Sequence, residues 1–409
     1  MPRLTVAAVL GAVFVLTSCS LLGPAEPSEL APIRAGSELG TPDPAGSEPV
    51  PREFTLVATG DILLHPPLWE QARADADPAG GADAMDFAPQ LAAIAPVVSG
   101  ADVSICHLET PLAPDGGPYA GYPRFAAPPD VVPALAATGY TACTLASNHT
   151  FDQGADGAER TLDALESAGI APAGAARTEA DDRPTLIEVA TEGGPVVVGL
   201  VSYTFSFNGI PFPDGDEWRA NLIDQSCVVG AACDAAAETI LADAAAAKAD
   251  GAEVVVVSLH WGDEYVHEPN AFQLELAPML LASADVDLLL GHHAHWVQPV
   301  ENIGGEWAVY GLGNFMAAHA TQNEPLREGL LVRFTFTEDL GGGGFGTTSA
   351  EYLPVYQTYD TPRRVLDVAA ELDSDEPAES LDRLQTALDR TTEVVGSRGA
   401  FDDGFEPLR

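Results

Sequence analysis

Short apolar runs alternate with amphipathic segments from residue 53 onward. Five of the runs end in polar residues, and in chain order they read FTLVATGD, ADVSICHLE, YTACTLASNH, AEVVVVSLHWGDE and VDLLLGHHAH. Runs of this length that are rich in Val, Leu, Ile and Thr predict strands. The segments between them predict helices over 85–98, 154–168, 235–249 and 271–284. Alternating apolar strands and helices indicate an α/β fold in which helices cover the sheet on both faces.

The pattern changes after residue 295. The runs WVQPVENI, EWAVYGLGNF, GLLVRFTF and AEYLPVYQTY predict strands linked as hairpins. Residues 379–395 predict a C-terminal amphipathic helix. No internal repeat and no second domain is evident, so we predict one domain over 53–360 and a C-terminal helical extension over 361–409.

The N-terminal segment is typical of an exported protein. A positive start precedes an uncharged apolar stretch over 4–16, which is too short to span a bilayer comfortably. It ends in LTSC, which resembles the bacterial lipobox, where the peptide is cut before the Cys and the thiol is lipidated. An ordinary signal peptide with an incidental Cys is the alternative, but small residues precede Cys19 and a long linker follows it. We therefore predict a signal peptide over 1–18, lipidation of Cys19 and a flexible Pro/Glu/Ser-rich tether over 19–52. This organisation places the protein outside the cytoplasm, anchored to the bacterial cell membrane by lipid.

The charge balance excludes one class of partner. The chain carries 61 acidic and 18 basic residues, for a formal net charge of −43. Nucleic-acid binding needs a cationic face that replaces counterions, so we predict no nucleic-acid partner. A polyanionic polymer is not inferred from charge either, since an acidic protein repels it unless cations bridge the two.

The four cysteines after Cys19 allow two pairings. Cys227 and Cys233 bracket a predicted loop and could close a small disulfide ring in an exported protein. Cys106 and Cys143 lie in apolar strand-like runs. We interpret them as buried small side chains, although neighbouring strands could let them bridge.

Candidate chemistry collects where the five predicted strands end. In α/β sheets, sites form outside the carboxyl ends of the strands. Each residue alone has a structural explanation, such as a helix cap or a satisfied core histidine, but their conjunction points to a metal site. Imidazole and oxygen donors without thiolate suit manganese, iron or zinc, so we predict one or two divalent transition-metal ions. The candidate residues are Asp61, Glu109, Asn148, His149, His260, His293 and His295.

These motifs carry a resemblance to a known family. GDILLH, HLETPL, LASNHTFDQG, HWGDEY and GHHAHWVQPVE followed by YGLGNF resemble, in order, the motifs of the bacterial capsule-synthesis CapA family of the poly-γ-glutamate PgsA type. That family is similar to the calcineurin-like metallophosphoesterases. The resemblance covers about residues 54–315 and implies a metallophosphoesterase-like sandwich of mixed β-sheets flanked by helices.

The resemblance also implies roles for individual residues. Asp61 matches a ligand of one metal, Glu109 the carboxylate that bridges two metals, and Asn148 a ligand of the second metal. His260, His293 and His295 match the remaining metal ligands. His149 matches the catalytic histidine that protonates the leaving group in phosphoesterases.

Other residues near these motifs have supporting or open roles. Asp152 and Glu264 could hold imidazoles, with His149 and His260 as the obvious partners. His292 precedes the final pair and need not be a ligand, and we assign His107 no role. The first strand departs from the Asp-x-His pattern of typical phosphoesterases, because His65 lies four residues after Asp61. Arg124 and Arg219 could pair with an anionic substrate.

Two functions fit these residues. The first is an anchored, metal-dependent hydrolase of the phosphoesterase type, acting on an anionic phosphate ester or a polyanionic polymer, with an implied role in capsule or poly-γ-glutamate biosynthesis. The alternative is a non-hydrolytic polymer-binding or scaffold component of cell-surface polymer assembly. Polymer-synthesis proteins are possible partners in both.

Overall fold

The apolar runs form the strands of two mixed β-sheets in the computed structural model of the chain. The structure describes residues 50–408 apart from residue 82, residues 213–214, residues 224–230 and residue 322. The predicted leader and Cys19 lie outside the described residues, as does Cys227, so the proposed ring with Cys233 stays a prediction.

Fifteen strands and nine α-helices are assigned within the described ranges. The strands are β1 (Glu53–Leu63), β2 (Val103–Leu108), β3 (Ala142–Thr144), β4 (Ala171–Ala173), β5 (Thr185–Val189), β6 (Val196–Thr204), β7 (Val254–His260), β8 (Leu288–His292), β9 (Val300–Ile303), β10 (Glu306–Val309), β11 (Asn314–Ala317), β12 (Glu328–Asp339), β13 (Gly344–Gln357), β14 (Val365–Asp367) and β15 (Phe405–Pro407). The helices are α1 (Pro66–Asp75), α2 (Ala88–Leu91), α3 (Ala95–Ser99), α4 (Val131–Thr138), α5 (Gly154–Ser167), α6 (Ala231–Ala249), α7 (Ala271–Leu281), α8 (Val368–Leu372) and α9 (Leu381–Gly396).

Each sheet has a parallel centre and antiparallel additions. The first sheet has the order β14-β13-β12-β1-β2-β3-β4, with β11 beside β1 and β15 beside β13. Its strands β1 to β4 are parallel, whereas β12 runs antiparallel to β1. The second sheet has the order β5-β6-β7-β8-β10-β9, with β6, β7, β8 and β10 parallel. The predicted fold of mixed sheets flanked by helices is confirmed.

The two sheets pack face to face, and helices cover their outer faces. Strand β7 shows how the sequence specifies this arrangement. Val254 and Val256 lie in the apolar layer between the sheets, while Val255 and Val257 lie in the layer shared with α6 and α7. Because successive side chains of a strand point to opposite faces, a strand buried on both faces must be apolar throughout. The unbroken VVVV run is therefore a property of the four-layered arrangement.

Two predicted elements are divided in the structure. The helix predicted over 85–98 was wrong as a single element, since α2 and α3 replace it. Pro96, in the first turn of α3, has no backbone N–H and disfavours a continuous helix through this point. The run EWAVYGLGNF forms β10 in the second sheet and β11 in the first. Gly313, with φ of 68°, takes a left-handed conformation between them.

Cys106 and Cys143 are buried, as predicted, and they also form the bridge that the sequence left open. The structure joins the two as a disulfide between neighbouring strands β2 and β3. The two residues are direct partners in the parallel register, which brings their Cα atoms to 4.5 Å. This separation lies within the range that a disulfide spans.

The C-terminal residues add to the first sheet. Strands β14 and β15 both pair with β13, and helix α9 corresponds to the helix predicted over 379–395. Leu384 and Ala387 of α9 pack with Tyr356 of β13. Within the described ranges, no helix combines the length and apolar character needed to cross a membrane.

Candidate metal centre

The carboxyl ends of strands from both sheets meet at one place. In the first sheet, Asp61 of β1 lies beside His107 of β2 in the parallel register. In the second sheet, His260 of β7 lies beside His292 of β8. Side chains from the two edges contact each other, because Nε2 of His107 lies 3.0 Å from Nδ1 of His260. The site is thus built between the sheets, with each sheet supplying half of it.

Asp61 occupies the centre of this arrangement. Its side chain is fully buried, and its two oxygens lie 3.0 Å from Nδ1 of His292 and 3.1 Å from Nδ1 of His295. Burial alone would raise the pKa of Asp61, but hydrogen bonds from the two imidazoles hold it well below its ordinary value. Gly60 allows this placement, since a Cβ there would lie 2.1 Å from the carbonyl oxygen of Gly313.

Glu109 forms one group of potential metal ligands with Asp61 and His295. One ligand atom from each of these three residues lies within 4.8 Å of the others. Burial raises the pKa of Glu109 well above its ordinary range. Burial alone would lower the pKa of His295. The negative charges of Glu109 and Asp61 outweigh this effect and raise the pKa of His295 to about 9. The group combines two carboxylates with one imidazole, a donor set that binds divalent cations.

A second group shares Asp61 and contains two histidines that the sequence left without a ligand role. Asp61, His107 and His292 also bring ligand atoms within 4.8 Å of one another. Nδ1 of His107 lies 2.8 Å from Oγ1 of Thr144, and burial lowers the pKa of His107 well below its ordinary value. Strand alternation was the available signal for His107, because it lies two positions before Glu109 and both therefore point to the same side.

Three further predicted ligands lie around Glu109. Nε2 of His260 is 3.9 Å from Oε1 of Glu109 and 3.0 Å from Oδ1 of Asn148. The ring of His293 packs 4.7 Å from the ring of His260. Burial lowers the pKa of His293 to about 3, which favours the neutral imidazole that binds metals. The structure therefore brings all six predicted ligands together. The resemblance implied that Glu109 is shared between two metals, but in the structure Asp61 is the residue that belongs to both ligand groups.

His149 lies beside this centre and is held by Asp152. Nδ1 of His149 and Oδ2 of Asp152 are 2.6 Å apart, and the same oxygen accepts a hydrogen bond of 2.7 Å from the backbone N–H of Phe125. Asp152 thus orients His149, one of the partners expected for it. Glu264 lies elsewhere than expected, with Oε1 3.9 Å from Nε2 of His295.

His65 and His319 form the outer wall of the site. Their rings lie 4.5 Å apart, and His319 also packs 5.1 Å from His295. Nδ1 of His65 lies within hydrogen-bond distance of the carbonyl oxygen of Leu63. Together with His149 and Tyr265 they line a cavity of about 230 Å³. His319 was not predicted as a site residue, because it follows β11 and has no recognisable motif around it.

The buried polar atoms at this centre fit a metal ion. Both carboxylate oxygens of Glu109 and Nδ1 of His293 are buried and lack a hydrogen-bond partner among the described residues. Unpaired buried polar atoms are rare in native proteins, and a buried carboxylate needs a cation or a donor nearby. Oxygen and nitrogen donors without thiolate match the predicted choice of manganese, iron or zinc.

Left-handed backbone conformations also occur at this centre. His293 has φ of 85° and His295 has φ of 55°, values that side-chain-bearing residues adopt at a cost. They follow Gly291, where a Cβ would lie 1.9 Å from the carbonyl oxygen of Tyr310. The glycine permits the close approach, and the strained turn after it directs the two imidazoles toward the metal centre.

Comparisons with known proteins agree with the motifs. The family model described as bacterial capsule synthesis protein PGA_cap matches residues 55–319. A probable polyglutamine synthesis accessory protein of Mycobacterium tuberculosis is 32% identical over 256 residues, which cover 59% of this chain and 63% of that protein. The PGA biosynthesis protein CapA of Bacillus subtilis is 36% identical over 97 residues, 24% of each chain.

The solved structures that align with this chain include a calcineurin-like phosphoesterase, YfkN, from Bacillus subtilis. The alignment covers 84% of this chain and 98% of that chain, with 16% identity and a TM-score of 0.39.

Proposed function

Because the chain belongs to the PGA_cap family of bacterial capsule synthesis proteins, we propose that it is a metal-dependent hydrolase of the phosphoesterase type that acts in the synthesis of a capsule or of poly-γ-glutamate. Curated relatives named for polyglutamine and PGA synthesis support this role. The chemical part of the proposal rests on the metal centre alone.

The unpaired carboxylate of Glu109 is the observation that carries the proposed chemistry. It is buried between Asp61 and His295, and neither of its oxygens has a hydrogen-bond partner among the described residues. An ionised carboxylate in such a place is costly unless a positive charge compensates it. A divalent cation held by Glu109, Asp61 and the surrounding imidazoles supplies that charge.

Eight side chains would hold the metal or metals. They divide into a part around Asp61 and a part around Glu109, and they are Asp61, His107, His292, His295, Glu109, Asn148, His260 and His293. When bound, a divalent ion of this kind lowers the pKa of a water ligand and neutralises a phosphoryl oxygen.

His149 is the proposed acid for the departing alkoxide. The Nδ1–H of His149 donates a hydrogen bond to Asp152, so the proton on Nε2 of the imidazolium is the one that can be transferred. As a water molecule bonds to phosphorus and releases its own proton to solvent, the bond from phosphorus to the leaving oxygen breaks and this oxygen takes the Nε2 proton, so an alcohol leaves rather than an alkoxide. Phe125 packs edge-on against the His149 ring at 4.8 Å and limits its rotation.

The proposed location rests on the sequence. The proposal includes a leader over 1–18, lipidation of Cys19 and a tether over 19–52, which would anchor the protein to the membrane outside the cytoplasm. An anionic phosphate ester or polyanionic polymer, and proteins of polymer synthesis, are the partners that this location and family suggest.

Metal analysis combined with a phosphatase panel tests the proposal. We expect the full-length protein from metal-replete growth to contain manganese, iron or zinc and to cleave a phosphomonoester or phosphodiester. His293→Ala should lower the metal content, whereas His149→Ala should keep the metal and lose turnover. Metal-free wild-type protein would refute the metal centre. Metal-loaded protein that is inert toward every ester would instead support the polymer-binding or scaffold function.

A further inference from the structure

A second, larger cavity opens beside the metal centre. Its volume is about 760 Å³, and its wall includes Asn148 and His149 of the proposed site. The wall also includes Arg124, Asn208, Glu264 and Tyr265, which belong to three different loops and are not among the proposed metal ligands. Because His149 is the proposed acid for the leaving group, a molecule in this cavity would lie on the leaving-group side of the reaction.

Arg124 gives the cavity an uncommitted positive charge. Its side chain is exposed, and it forms no hydrogen bond or ion pair within the described part of the chain. The ion-paired arginines are Arg52, Arg177, Arg219, Arg327, Arg333, Arg364, Arg383, Arg390 and Arg398. In a protein with a net charge of −43, an unpaired guanidinium in the wall of a cavity is available for a ligand. Guanidinium groups bind carboxylates and phosphates through paired hydrogen bonds.

Two tyrosines add exposed aromatic surface to the same wall. Tyr122 is 80% exposed and Tyr265 is 41% exposed, which is unusual for large apolar rings. Tyr265 is fixed in place, because its backbone N–H donates to the carbonyl oxygen of Ala294 at 2.8 Å and its ring stacks on His295. Exposed rings beside a cation are common features of ligand sites.

Backbone strain marks the cavity and the metal centre together. In the described ranges, the residues other than glycine with left-handed backbone are Asn208, Tyr265, His293 and His295, with φ between 53° and 85°. Asn208 and Tyr265 line the cavity, and the two histidines belong to the metal centre. Strained conformations persist where the surrounding structure enforces them, and they concentrate at functional sites. This observation is independent of the charge on Arg124.

We propose that this cavity is the subsite for the leaving group of the substrate, and that Arg124 binds an oxyanion, a carboxylate or a phosphate, carried by that leaving group. The identification of the bound group as the leaving group rests on the proposed hydrolase function. The binding of an oxyanion to Arg124 does not depend on that function. Glu264 lies in the same wall with a side chain 40% exposed, and it disfavours a leaving group with several negative charges. Arg124 attracts an anionic substituent, whereas Glu264 repels further negative charge. The subsite therefore selects a leaving group with one anionic substituent over a neutral leaving group.

A pair of aryl phosphates tests the selectivity in the metal-loaded, full-length protein. Phenyl phosphate has a neutral leaving group, and 4-carboxyphenyl phosphate has the same ring with one carboxylate. We expect Arg124→Ala to lower the ratio of kcat/KM for the carboxylated ester to that for the plain ester by about five- to tenfold. Most of the change should lie in KM, and Arg124→Lys should give an intermediate ratio. Arg183 is the control, because it is also exposed, has no side-chain partner in the described ranges and lies outside the cavity wall. Arg183→Ala should leave the ratio unchanged.

Direct binding separates failure of the subsite from failure of the hydrolase. Isothermal titration with benzoate and with dimethylphosphinate, each of which carries one negative charge and no ester bond, measures binding of a carboxylate and of a phosphorus oxyanion without turnover. Weaker binding of either ligand to Arg124→Ala, with no ester cleaved by any variant, would support the anion site at Arg124 but refute both the hydrolase and the identification of the bound group as a leaving group, and the ligand affected identifies the anion. Turnover with an unchanged ratio, together with Arg124-independent binding of both ligands, would overturn the subsite and leave the hydrolase standing.

Discussion

Oδ2 of Asp61 lies 3.1 Å from Nδ1 of His295, and this contact joins the two sheets of the fold. Asp61 belongs to β1 of the first sheet, whereas His295 follows β8 of the second. Each ligand group combines residues of the first sheet with a histidine of the second, so the metal site assembles only when the two sheets pack correctly. Metal binding should consequently stabilise the folded chain, since the unfolded chain has no such site.

Replacement of Asp61 tests its central position. Asp61→Asn keeps the shape of the side chain but removes the charge that both ligand groups share. We expect the affinity for metal to fall by more than about tenfold, with turnover falling in parallel. Competition with a chelator of known affinity measures the first effect.

Asp102 offers the matched control for that substitution. It precedes β2 at the opposite end of the same sheet, where its carboxylate is exposed and accepts from Thr55. Asp102→Asn should bind metal like the wild type. Equal losses in both variants would show that Asp61 acts through general electrostatics rather than as a ligand.

The pairing of Asp152 with His149 leads to a second prediction. Asp152→Asn removes the carboxylate that accepts the Nδ1 proton of His149 at 2.6 Å. We expect kcat to fall roughly 10- to 100-fold with little change in KM, because substrate binding does not depend on the proton. Metal content should stay at the wild-type value.

A double variant distinguishes positioning from a loss of structure. If Asp152 acts only through His149, then adding Asp152→Asn to His149→Ala should cost no further activity. A clear additional loss in the double variant would contradict this role, and so would a fall in metal content.

Much of the site could be predicted from the sequence because its residues follow the strands directly. Asp61, His260 and the histidines after β8 stand at the ends of long apolar runs, and a parallel strand places its end at the active edge. His107 was also predictable, because it alternates with Glu109 along the chain, but it was assigned no role because the resemblance did not provide one. His319 has no such signal, since it reaches the site only through the path of the loop after β11.

The division of the strands between two sheets could not be predicted in the same way. Strands β2 and β7 are both short, apolar and parallel, so periodicity gives no information on which sheet contains each. Only the packing of Val254 against residues of the first sheet, such as Leu56, distinguishes a four-layered arrangement from a single sheet covered by helices. The disulfide also depends on strand pairing that the apolar pattern does not specify, because the register of β2 against β3 places Cys106 opposite Cys143.

The disulfide gives a third prediction. It joins residues separated by 37 positions, and a loop of this length corresponds to about 3–4 kcal/mol of unfolding free energy in the chain-entropy description. We expect the variant with both Cys106→Ala and Cys143→Ala to lose about that much in chemical denaturation. The comparison should be repeated with fully reduced wild-type protein. If the cross-link is the cause, the reduced wild type should resemble the variant, and a fully stable reduced protein would contradict it.

The fourth prediction concerns Glu306, at the start of β10. Burial, with a contribution from Asp287, raises the pKa of Glu306 from 4.5 to about 7. Between these two values the folded chain holds a proton that the unfolded chain has lost, so the unfolding free energy falls as the pH rises through this window. Glu306→Gln stays neutral throughout and should become more stable relative to the wild type as the pH rises from about 4.5 to 7. Because the side chain is only half-buried, we expect a gain of about 1 kcal/mol, constant above pH 7.

Denaturation curves at pH 5 and pH 8 measure this difference. Every other titrating group is common to the two proteins, so subtracting their unfolding free energies isolates position 306. Glu188 of β5 is the control, because it lies on the same sheet with an exposed side chain. Glu188→Gln should track the wild type at both pH values. If the difference in unfolding free energy between Glu306→Gln and the wild type were the same at pH 5 and pH 8, the Glu306 carboxylate would be solvated in the folded protein. Only a carboxylate that is buried on folding makes this difference depend on pH.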